Sequence, residues 1–470
     1  MNPAPEVAWK QLHPASLLVN LLPTLWRTLR VSWPLLLAFM AGGGVRGLVD
    51  ITLILLVFGT AMARTIVHFA TLRYRVVEGK LHLRSGLLSR TDRVIDSARI
   101  QNVEIVQNVF HKLAGLVELR VETAGDSGSA GGAEGLLSAI SLAEAEALRG
   151  QLARSGTRVA GAPEGEPIDA ASLLEVVAFG VSVGRVGAAA IAVGFLLDAT
   201  AQVSPGTFQA GTRSLGSLGL AGLALLALAG GYVVSVGNAV LRYYGHRWWR
   251  VGDEIQIEAG LLTRRRMDIP LAKVQLIRVQ EPIIRRLMGY ATMLVETAAT
   301  GGVPGRGAVE GTVPMVALED VTARAKVVLP ALDVDVEQRL NPCAPRAVFR
   351  ATVGGALRWI FPAWAAAEFV DVPWLWAMVP VSALLGFLDA RRQGWVLSDG
   401  FIVVRRGFLR RDTWLLPRSK VQSVHVFQTP IMRRYGLARV VVWIPGGRIA
   451  LPDLRTADAD AVFGTLSDAA

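Results

Sequence analysis

Three stretches of the chain carry apolar residues at every second position. In half-buried β-strands successive side chains point to opposite faces, so this alternation is typical of such strands. The alternating pairs are Leu81 with Leu83, Ile255 with Ile257, and Ile402 with Val404. The sequence therefore predicts β-structure in three separate regions.

The three regions are copies of one another. They begin near Arg73, Arg247 and Gly394 and superimpose without a gap over about forty residues, which indicates an internal repeat. The aligned landmarks are Gly86, Gly260 and Gly407, then Gln101, Gln275 and Gln422, then Gly115, Gly289 and Gly436. A short helical turn ends at the last glycine of each copy, where glycine is expected to cap it.

Each copy closes with an Ala-rich amphipathic stretch, which predicts a terminal helix. These stretches are 142–152, 318–329 and 456–466. Strands followed by one helix favour a small antiparallel sheet or open barrel covered by that helix.

An apolar hairpin precedes every copy and predicts a pair of transmembrane helices. The first and fifth spans are interrupted by Gly or Pro, so a tilted or re-entrant path stays open for them. The six spans are about 31–48, 48–70, 173–197, 215–240, 350–370 and 372–389.

The chain therefore divides into three tandem units, each a helix pair followed by a β domain, a membrane protein of mixed α and β class. The expected boundaries are 1–72 for the N-terminal segment and first helix pair, 73–155 for β domain one, 156–240 for a linker and the second pair, 241–332 for β domain two, 333–390 for the third pair and 391–470 for β domain three.

Composition supports the membrane assignment. Of 470 residues, 52% are hydrophobic and only 19% are charged, and the mean hydropathy is +0.41, which is too apolar for an ordinary soluble domain. Cys343 is the single cysteine, which excludes a disulfide framework and a site with several thiolate ligands. The net charge of +11 favours contact with anionic lipid rather than nucleic acid.

Basic residues gather at one end of the predicted spans, which sets their orientation. The opposite ends carry little positive charge, and the third shows Glu368 and Asp371 instead. By the positive-inside rule all three β domains of this multi-pass protein are expected to face the cytoplasm. The basic residues that flank the spans are Lys10, Arg27, Arg30, Arg64, Arg73, Arg75, Arg242, Arg247, Arg250, Arg391 and Arg392.

The aligned "G-[LF]-[LF]" turn, the segment "RIQNVEIVQNVFHKLAGLVELRVETAG" and the preceding helix pair resemble bacterial pleckstrin-homology domains of the YdbS/YdbT membrane-protein type. The resemblance covers essentially the whole chain. It implies a pleckstrin-homology-like (PH-like) fold of seven strands with a C-terminal helix in each unit, and it implies no defined reaction. Copy one departs from the pattern at Asp96, where the other copies have Pro270 and Pro417, and copy two carries Asp268 just before its proline.

No set of residues with catalytic spacing is found, so we expect no enzymatic activity, no metal and no cofactor. The His residues lack helical i, i+4 spacing and a nearby Cys or acidic partner. Gly180, Ser182 and Gly184 match a nucleophile-elbow pattern, G-x-S-x-G, but lie in an apolar helix, where small residues serve close helix packing.

Basic clusters in the β domains are the candidates for contact with lipid or a partner. The equivalent Lys112, Arg286 and Arg433 are one basic position present in all three copies. A solvated charged face beside the membrane is the competing interpretation. The candidate residues are Lys112, Arg264, Arg265, Arg266, Arg285, Arg286, Arg405, Arg406, Arg410, Arg411, Arg433 and Arg434.

Two functions remain open at this point. One is a non-enzymatic membrane scaffold whose domains bind anionic lipid headgroups, each other, or a protein partner in the bacterial envelope, such as a second copy or a smaller membrane protein of the same family. The other is a transport or lipid-handling component in which the β domains regulate or oligomerise. Few ionisable residues in the spans argue against transport.

Overall fold

The structure is a computed structural model. It describes residues 9–17, 19–21, 24–25, 28, 48–87, 90–97, 100–123, 135–153, 165–183, 222, 225, 228–297, 311–336, 338–369, 373–445 and 447–467. The chain forms two compact units, of which the first comprises 1–123, 132–249 and 256–268, and the second 124–131, 250–255 and 269–470. The division passes through the second repeat.

Short strands make up most of the described β-structure. In chain order they are β1 (Lys10–Gln11), β2 (Arg73–Val77), β3 (Lys80–Ser85), β4 (Thr91–Asp96), β5 (Ile100–Gln107), β6 (Leu116–Thr123), β7 (Gly135–Ser141), β8 (Asp169–Ala170), β9 (Arg247–Val251), β10 (Glu254–Ala259), β11 (Arg264–Pro270), β12 (Val274–Pro282), β13 (Tyr290–Thr297), β14 (Thr312–Ala317), β15 (Asn341–Pro342), β16 (Gly394–Leu397), β17 (Phe401–Arg406), β18 (Arg410–Pro417), β19 (Ser423–Phe427), β20 (Leu437–Ile444), β21 (Gly447–Ala450) and β22 (Leu454–Arg455).

Helices either precede these strands or cover them. The α-helices are α1 (Leu48–Thr71), α2 (Val109–Ala114), α3 (Leu142–Ala153), α4 (Leu173–Val183), α5 (228–243), α6 (Ile283–Leu287), α7 (Val321–Val328), α8 (Pro345–Phe369), α9 (Met378–Arg392), α10 (Pro430–Arg434) and α11 (Thr456–Ser467). Among the described residues, 3-10 turns with complete bounds lie at Leu271–Lys273, Leu318–Asp320, Pro373–Ala377 and Arg418–Lys420.

Each repeat supplies the strands and helix that the PH-like resemblance implies. Within a repeat four strands are followed by a fifth strand, a short helix, two or three further strands and a terminal helix. The predicted terminal helices are confirmed as α3, α7 and α11. The predicted glycine cap is also confirmed at α2, where Gly115 has a φ of 67° and its N–H bonds to His111 and Lys112 carbonyls.

The sheets run across repeat boundaries, which the sequence did not predict. In the first unit a seven-stranded sheet has the order β7-β6-β5-β11-β10-β9-β8, so β5 of repeat one pairs antiparallel with β11 of repeat two. In the second unit the order is β14-β13-β12-β18-β17-β16-β15, so β12 of repeat two pairs with β18 of repeat three. We call the β5·β11 and β12·β18 pairings the first and second seams.

The two seams have the same register. Arg264 lies opposite Gln107 in the first seam, and the aligned residues Arg411 and Glu281 lie opposite each other in the second. Register is set by which faces of a strand are buried, because a slip of one residue turns every side chain over. The recurrence of one register therefore indicates one mode of association between successive repeats.

The hydrophobic cores of repeats one and three are sandwiches covered by the terminal helix. In repeat one, Leu81, Ile95 and Leu119 pack with Ala145 and Leu148 of α3. These positions alternate along their strands, as the period of two requires. In repeat three the equivalent core joins β17 and β20 to α11, and its members include Ile402, Val404, Val440, Val442, Val462 and Leu466.

Two of the predicted helix pairs pack closely through small residues. A Cβ added to Gly355 of α8 would lie 2.4 Å from the carbonyl oxygen of Ser382 in α9. In the second pair a Cβ on Gly180 would lie 2.6 Å from the Cα of Val236 in α5, and Ser235 Oγ donates to the Gly180 carbonyl at 2.8 Å. Small residues at such contacts let helix backbones approach.

The described residues contain one helical segment that is long and apolar enough to cross a membrane, Pro373–Arg392. The span predicted at 48–70 coincides with helix α1, and α8 continues through Pro362 without a break. The span at 31–47, and most of the residues of 184–197 and 215–227, lie outside the described residues. The crossing of a membrane by all six spans therefore stays a prediction.

Candidate membrane-facing site

One hairpin tip in each repeat is hydrogen-bonded to a long apolar helix. We define the tips as Gly86–Leu87, Gly260–Thr263 and Gly407–Leu409, which begin the turns β3–β4, β10–β11 and β17–β18. The bonds run from Gly86 N to Thr71 Oγ1 of α1 at 2.9 Å, from Leu261 N to Leu241 O of α5 at 3.1 Å, and from Phe408 N to Asp389 Oδ1 of α9 at 3.1 Å. Each tip therefore lies beside the C-terminal turns of its helix.

Glycine is required at the start of each tip. Gly86, Gly260 and Gly407 have φ values of 103°, 116° and 98°, a region that L-residues avoid. A Cβ on Gly260 would lie 1.9 Å from the carbonyl oxygen of Thr263, and one on Gly407 would lie 1.8 Å from that of Arg410. The repeated "G-[LF]-[LF]" pattern is therefore the sequence signal of this tight turn.

Large apolar side chains are exposed on the tips and on the short helices α2, α6 and α10. Leu113 and Leu287 are the most exposed, at 82% and 81%. We call these side chains the apolar rim of their unit. The rim consists of Leu87, Val109, Phe110, Leu113, Leu261 and Leu262 in the first unit, and of Ile284, Leu287, Leu409 and Ile431 in the second.

In repeat three, α10 is held against the last helix pair. Thr429 caps the helix by accepting a hydrogen bond from Met432 N at 3.2 Å. Buried Met432 packs in a cluster with Ala347 at the beginning of α8 and Ala390 near the end of α9. Because Met432 faces the helices, exposed Ile431 and its basic neighbours project away from this cluster.

The basic position shared by all copies reaches the tip of the following repeat. Lys112 Nζ donates to the Leu261 carbonyl at 3.2 Å, and Arg286 Nη2 donates to the Phe408 carbonyl at 3.3 Å. Partial burial lowers the pKa of Arg286, and nearby Arg411 acts in the same direction. Arg433 is the third member, and its exposed side chain makes no hydrogen bond or ion pair with any described residue.

At the first seam, Arg265 lies near a buried carboxylate. The Glu104 side chain is only 2% exposed, and its oxygens lie 3.7 Å from Arg265 Nη1 and 3.7 Å from Arg120 Nη1. A carboxylate removed from water needs such partners. Arg265 therefore has a structural contact inside the protein.

The neighbouring arginines of β11 also have partners in the first unit. Arg264 forms an ion pair with Glu258, and Arg266 Nη2 donates to Gln256 Oε1 at 3.5 Å. The Arg264 side chain remains largely exposed, so it is still able to meet solvent or another surface.

Asp268, which marks a departure between copies, is part of a buried ion pair. Its Oδ2 lies 2.8 Å from Arg149 Nη1 of α3, and both side chains are about nine-tenths buried. Desolvation raises the pKa of Asp268, although Arg149 and Arg266 oppose that shift.

The second seam is also crossed by ion pairs. Arg411 of β18 pairs with buried Glu281 of β12, and Arg278 Nη2 lies 2.8 Å from Asp412 Oδ2. Arg410 pairs with Asp412 at 3.2 Å, but its side chain is more than half exposed.

Three further candidates are buried or half-buried. Arg285 is buried and donates to Thr292 Oγ1, and Arg405 donates to Thr413 Oγ1 at 3.2 Å. Burial lowers the pKa of Arg406, with Arg439 contributing in the same direction. Of the twelve candidates, Arg433 and Arg434 have exposed side chains that form no hydrogen bond or ion pair with the described residues.

A cleft of about 500 Å³ adjoins α10 in the second unit. It is lined by the beginning of α8, residues 435–437 after α10, and the junction of β22 and α11, including Arg346 and Arg455. Arg346 Nη1 donates to the Tyr435 carbonyl at 3.3 Å. Exposed Arg346 and Arg455 thus belong to this cleft, which begins one residue after α10.

The apolar rim was not among the predicted site residues. The sequence prediction named basic residues as the contact site, many of which form ion pairs within the fold, and it omitted the leucines beside them. The sequence feature that indicates the rim is the pair of apolar residues in each tip, because a solvated turn would carry polar residues there.

Comparison with known proteins gives a family for the chain. The family model described as "Bacterial PH domain" matches three segments, residues 22–156, 181–336 and 350–470. The chain is also 24% identical over 456 residues to the UPF0699 transmembrane protein YdbT of Bacillus subtilis strain 168, an alignment that covers 90% of each chain. No solved structure matches.

Proposed function

Because the chain belongs to the bacterial PH domain family and carries three copies of that domain, we propose that it is a non-enzymatic integral membrane scaffold. In this proposal its helices anchor it in the inner membrane, and its PH-like domains lie on the cytoplasmic side. The apolar rim inserts at the membrane surface while neighbouring arginines bind anionic lipid headgroups.

The observation that carries the proposal is the position of the rim. In repeat three, exposed Leu409 and Ile431 lie on elements that contact α8 and α9, and α9 ends the segment apolar enough to cross a membrane. Arg434 is exposed on the same short helix. Apolar side chains with adjacent cations suit the membrane interface, where both parts find a favourable environment.

The energies are large enough to hold a domain on a bilayer. Complete burial of a leucine or isoleucine side chain contributes about 1.5–3 kcal/mol, and each basic residue near an anionic surface contributes about 1 kcal/mol. Partial insertion of Leu409 and Ile431 together with Arg434 would thus contribute several kcal/mol. An attraction of this size keeps the domain at the bilayer surface when the helices already anchor it to the membrane.

Depth measurement on the full-length protein tests the proposal. Ile431→Cys is labelled with a fluorophore in protein reconstituted with brominated lipids, which quench only probes that enter the acyl region. Arg448→Cys is the control, because Arg448 lies opposite Trp443 of β20, about 20 Å along that strand from Leu437. We expect quenching at position 431 and none at 448, and equal quenching at both would reject rim insertion.

Charge reversal tests the lipid preference separately. We expect Arg434→Glu to reduce quenching of the probe at position 431 in anionic bilayers but not in zwitterionic ones. Arg448→Glu changes the net charge equally and should leave quenching unchanged. If both variants behave alike, net charge rather than contact at α10 explains the effect.

A further inference from the structure

Among the strands equivalent to those of the seams, two keep an unpaired edge in the described part of the chain. Strand β4 ends the sheet β1-β2-β3-β4 and pairs only with β3. Strand β19 ends its sheet and pairs only with β20. By the alignment of the repeats, β4 corresponds to β11 and β18, and β19 corresponds to β5 and β12.

The side chains on these edges are exposed where their equivalents are buried. Val279 and Leu415, which lie at the second seam, are both 0% exposed. Their equivalents at the free edges, Val426 in β19 and Val94 in β4, are 38% and 55% exposed. Unpaired edges with apolar side chains are a template for pairing with another chain.

Charge on β4 is no barrier to such pairing. The paired strands β11 and β18 are themselves basic, and they carry Arg264, Arg265 and Arg411 across the seams. The charges of β4, Asp92, Arg93 and Asp96, are fewer than the four of β11. Edge charge of this kind therefore coexists with strand pairing in this fold.

The shared basic position supplies independent support. At each seam this side chain bonds to a tip carbonyl of the next repeat, as Lys112 does with Leu261 and Arg286 does with Phe408. Arg433 is exposed and without such a partner among the described residues. The carbonyl aligned with Leu261 and Phe408 is that of Leu87, beside β4.

We propose that β19 of one molecule pairs antiparallel with β4 of a second copy of this chain, in the register of the internal seams, and that Arg433 bonds to the Leu87 carbonyl of that copy. This head-to-tail contact uses different surfaces on the two molecules, so it generates a ring or an open filament. The expected pairs are Thr91 with Phe427, Asp92 with Val426, Arg93 with His425 and Val94 with Val424.

Disulfide cross-linking between two differently tagged full-length chains tests the contact and its register. One chain carries a cysteine in β4 and the other a cysteine in β19, so no cross-link can form within a molecule. The in-register combinations are Arg93→Cys with His425→Cys and Asp92→Cys with Val426→Cys. The crossed combinations, Arg93→Cys with Val426→Cys and Asp92→Cys with His425→Cys, use the same four exposed positions.

We expect the in-register combinations to give about tenfold more two-tag product on mild oxidation in native membranes, because a shift of one residue places the thiols on opposite faces. Native Cys343 is buried and stays in every chain. Equal yields from both kinds of combination, or no two-tag product from folded protein, would overturn the proposal. Pairing of β19 with a different, shorter family member would give that second result.

Adding Arg433→Ala to the His425→Cys chain tests the bond to the tip. We expect it to lower the in-register yield severalfold, with Arg434→Ala as the matched control on the same helix. Equal yields in the two variants would remove Arg433 from the contact. Rim insertion is measured with lipid quenching and does not enter this experiment, so either proposal can fail alone.

Discussion

Replacing Arg411 with methionine leaves Glu281 in the second seam without its ion-pair partner. The Glu281 side chain is 2% exposed and that of Arg411 is 22% exposed. Removal of one partner from a fully buried pair costs about 3–5 kcal/mol. Because the Arg411 guanidinium is partly solvated and Arg286 also interacts with Glu281, we reduce this to about 2–3 kcal/mol.

This loss should be visible as a lower melting temperature. For a unit of this size 1 kcal/mol corresponds to about 2–4 °C, so we expect Arg411→Met to lower the Tm by about 4–12 °C. The assay is tryptophan fluorescence during heating of the detergent-solubilised protein. Trp414 reports on the seam directly, since the Arg278 guanidinium lies 5.2 Å from its ring centroid.

Two variants make the measurement decisive. Arg410→Met removes the neighbouring, mostly exposed arginine, and surface pairs of that kind are worth about 0–1 kcal/mol. The double variant Arg411→Met with Glu281→Met should recover most of the lost stability, because it removes the isolated buried charge. A decrease for Arg411→Met no larger than that for Arg410→Met would refute the reasoning.

Two further predictions concern the tips and the first unit. Gly407→Ala should lower the Tm much more than Gly400→Ala does. Gly407 has a φ of 98° and an added Cβ would meet the Arg410 carbonyl, whereas a Cβ added to Gly400 meets nothing within 4 Å. Similar decreases in Tm for the two variants would contradict the tip geometry. The pKa of Asp268 is raised by desolvation, so the folded protein holds this proton more tightly than the unfolded chain does. The free energy of unfolding should then fall as pH rises from the ordinary carboxyl pKa through the raised one. Asp268→Asn should flatten that dependence in melting curves recorded across the acidic range, and an unchanged slope would exclude Asp268 as its source.

The repeat and its local structure could be predicted from the sequence because they depend on residues close together in the chain. The period of two gives the strands, and glycine is needed wherever φ is positive, as at Gly115 and Gly407. The Ala-rich stretches likewise became the terminal helices α3 and α11. Comparison of the copies was sufficient for each of these predictions.

The seams could not be predicted in this way. Alternation shows which face of β5 or β12 is buried, but it does not identify the strand that pairs with its edge. The arginines of β11 and β18 consequently were interpreted as candidates for lipid contact, while the structure gives Arg265 and Arg411 buried carboxylates as neighbours. Glu104 and Glu281, which explain those arginines, are not aligned with each other in the repeat, so comparison of the copies did not reveal them.

The central claim is that all three PH-like domains lie on the cytoplasmic side of the membrane. Single cysteines at exposed residues in the first hairpin of each repeat, Lys80→Cys, Asp253→Cys and Asp399→Cys, test this with a thiol reagent that does not cross membranes. Buried Cys343 should remain unlabelled, and Glu368→Cys marks the opposite end of a helix pair. We expect the three hairpin cysteines to react only after the membrane is permeabilised and Glu368→Cys to react in intact cells. Labelling of any hairpin cysteine in intact cells would contradict the claim.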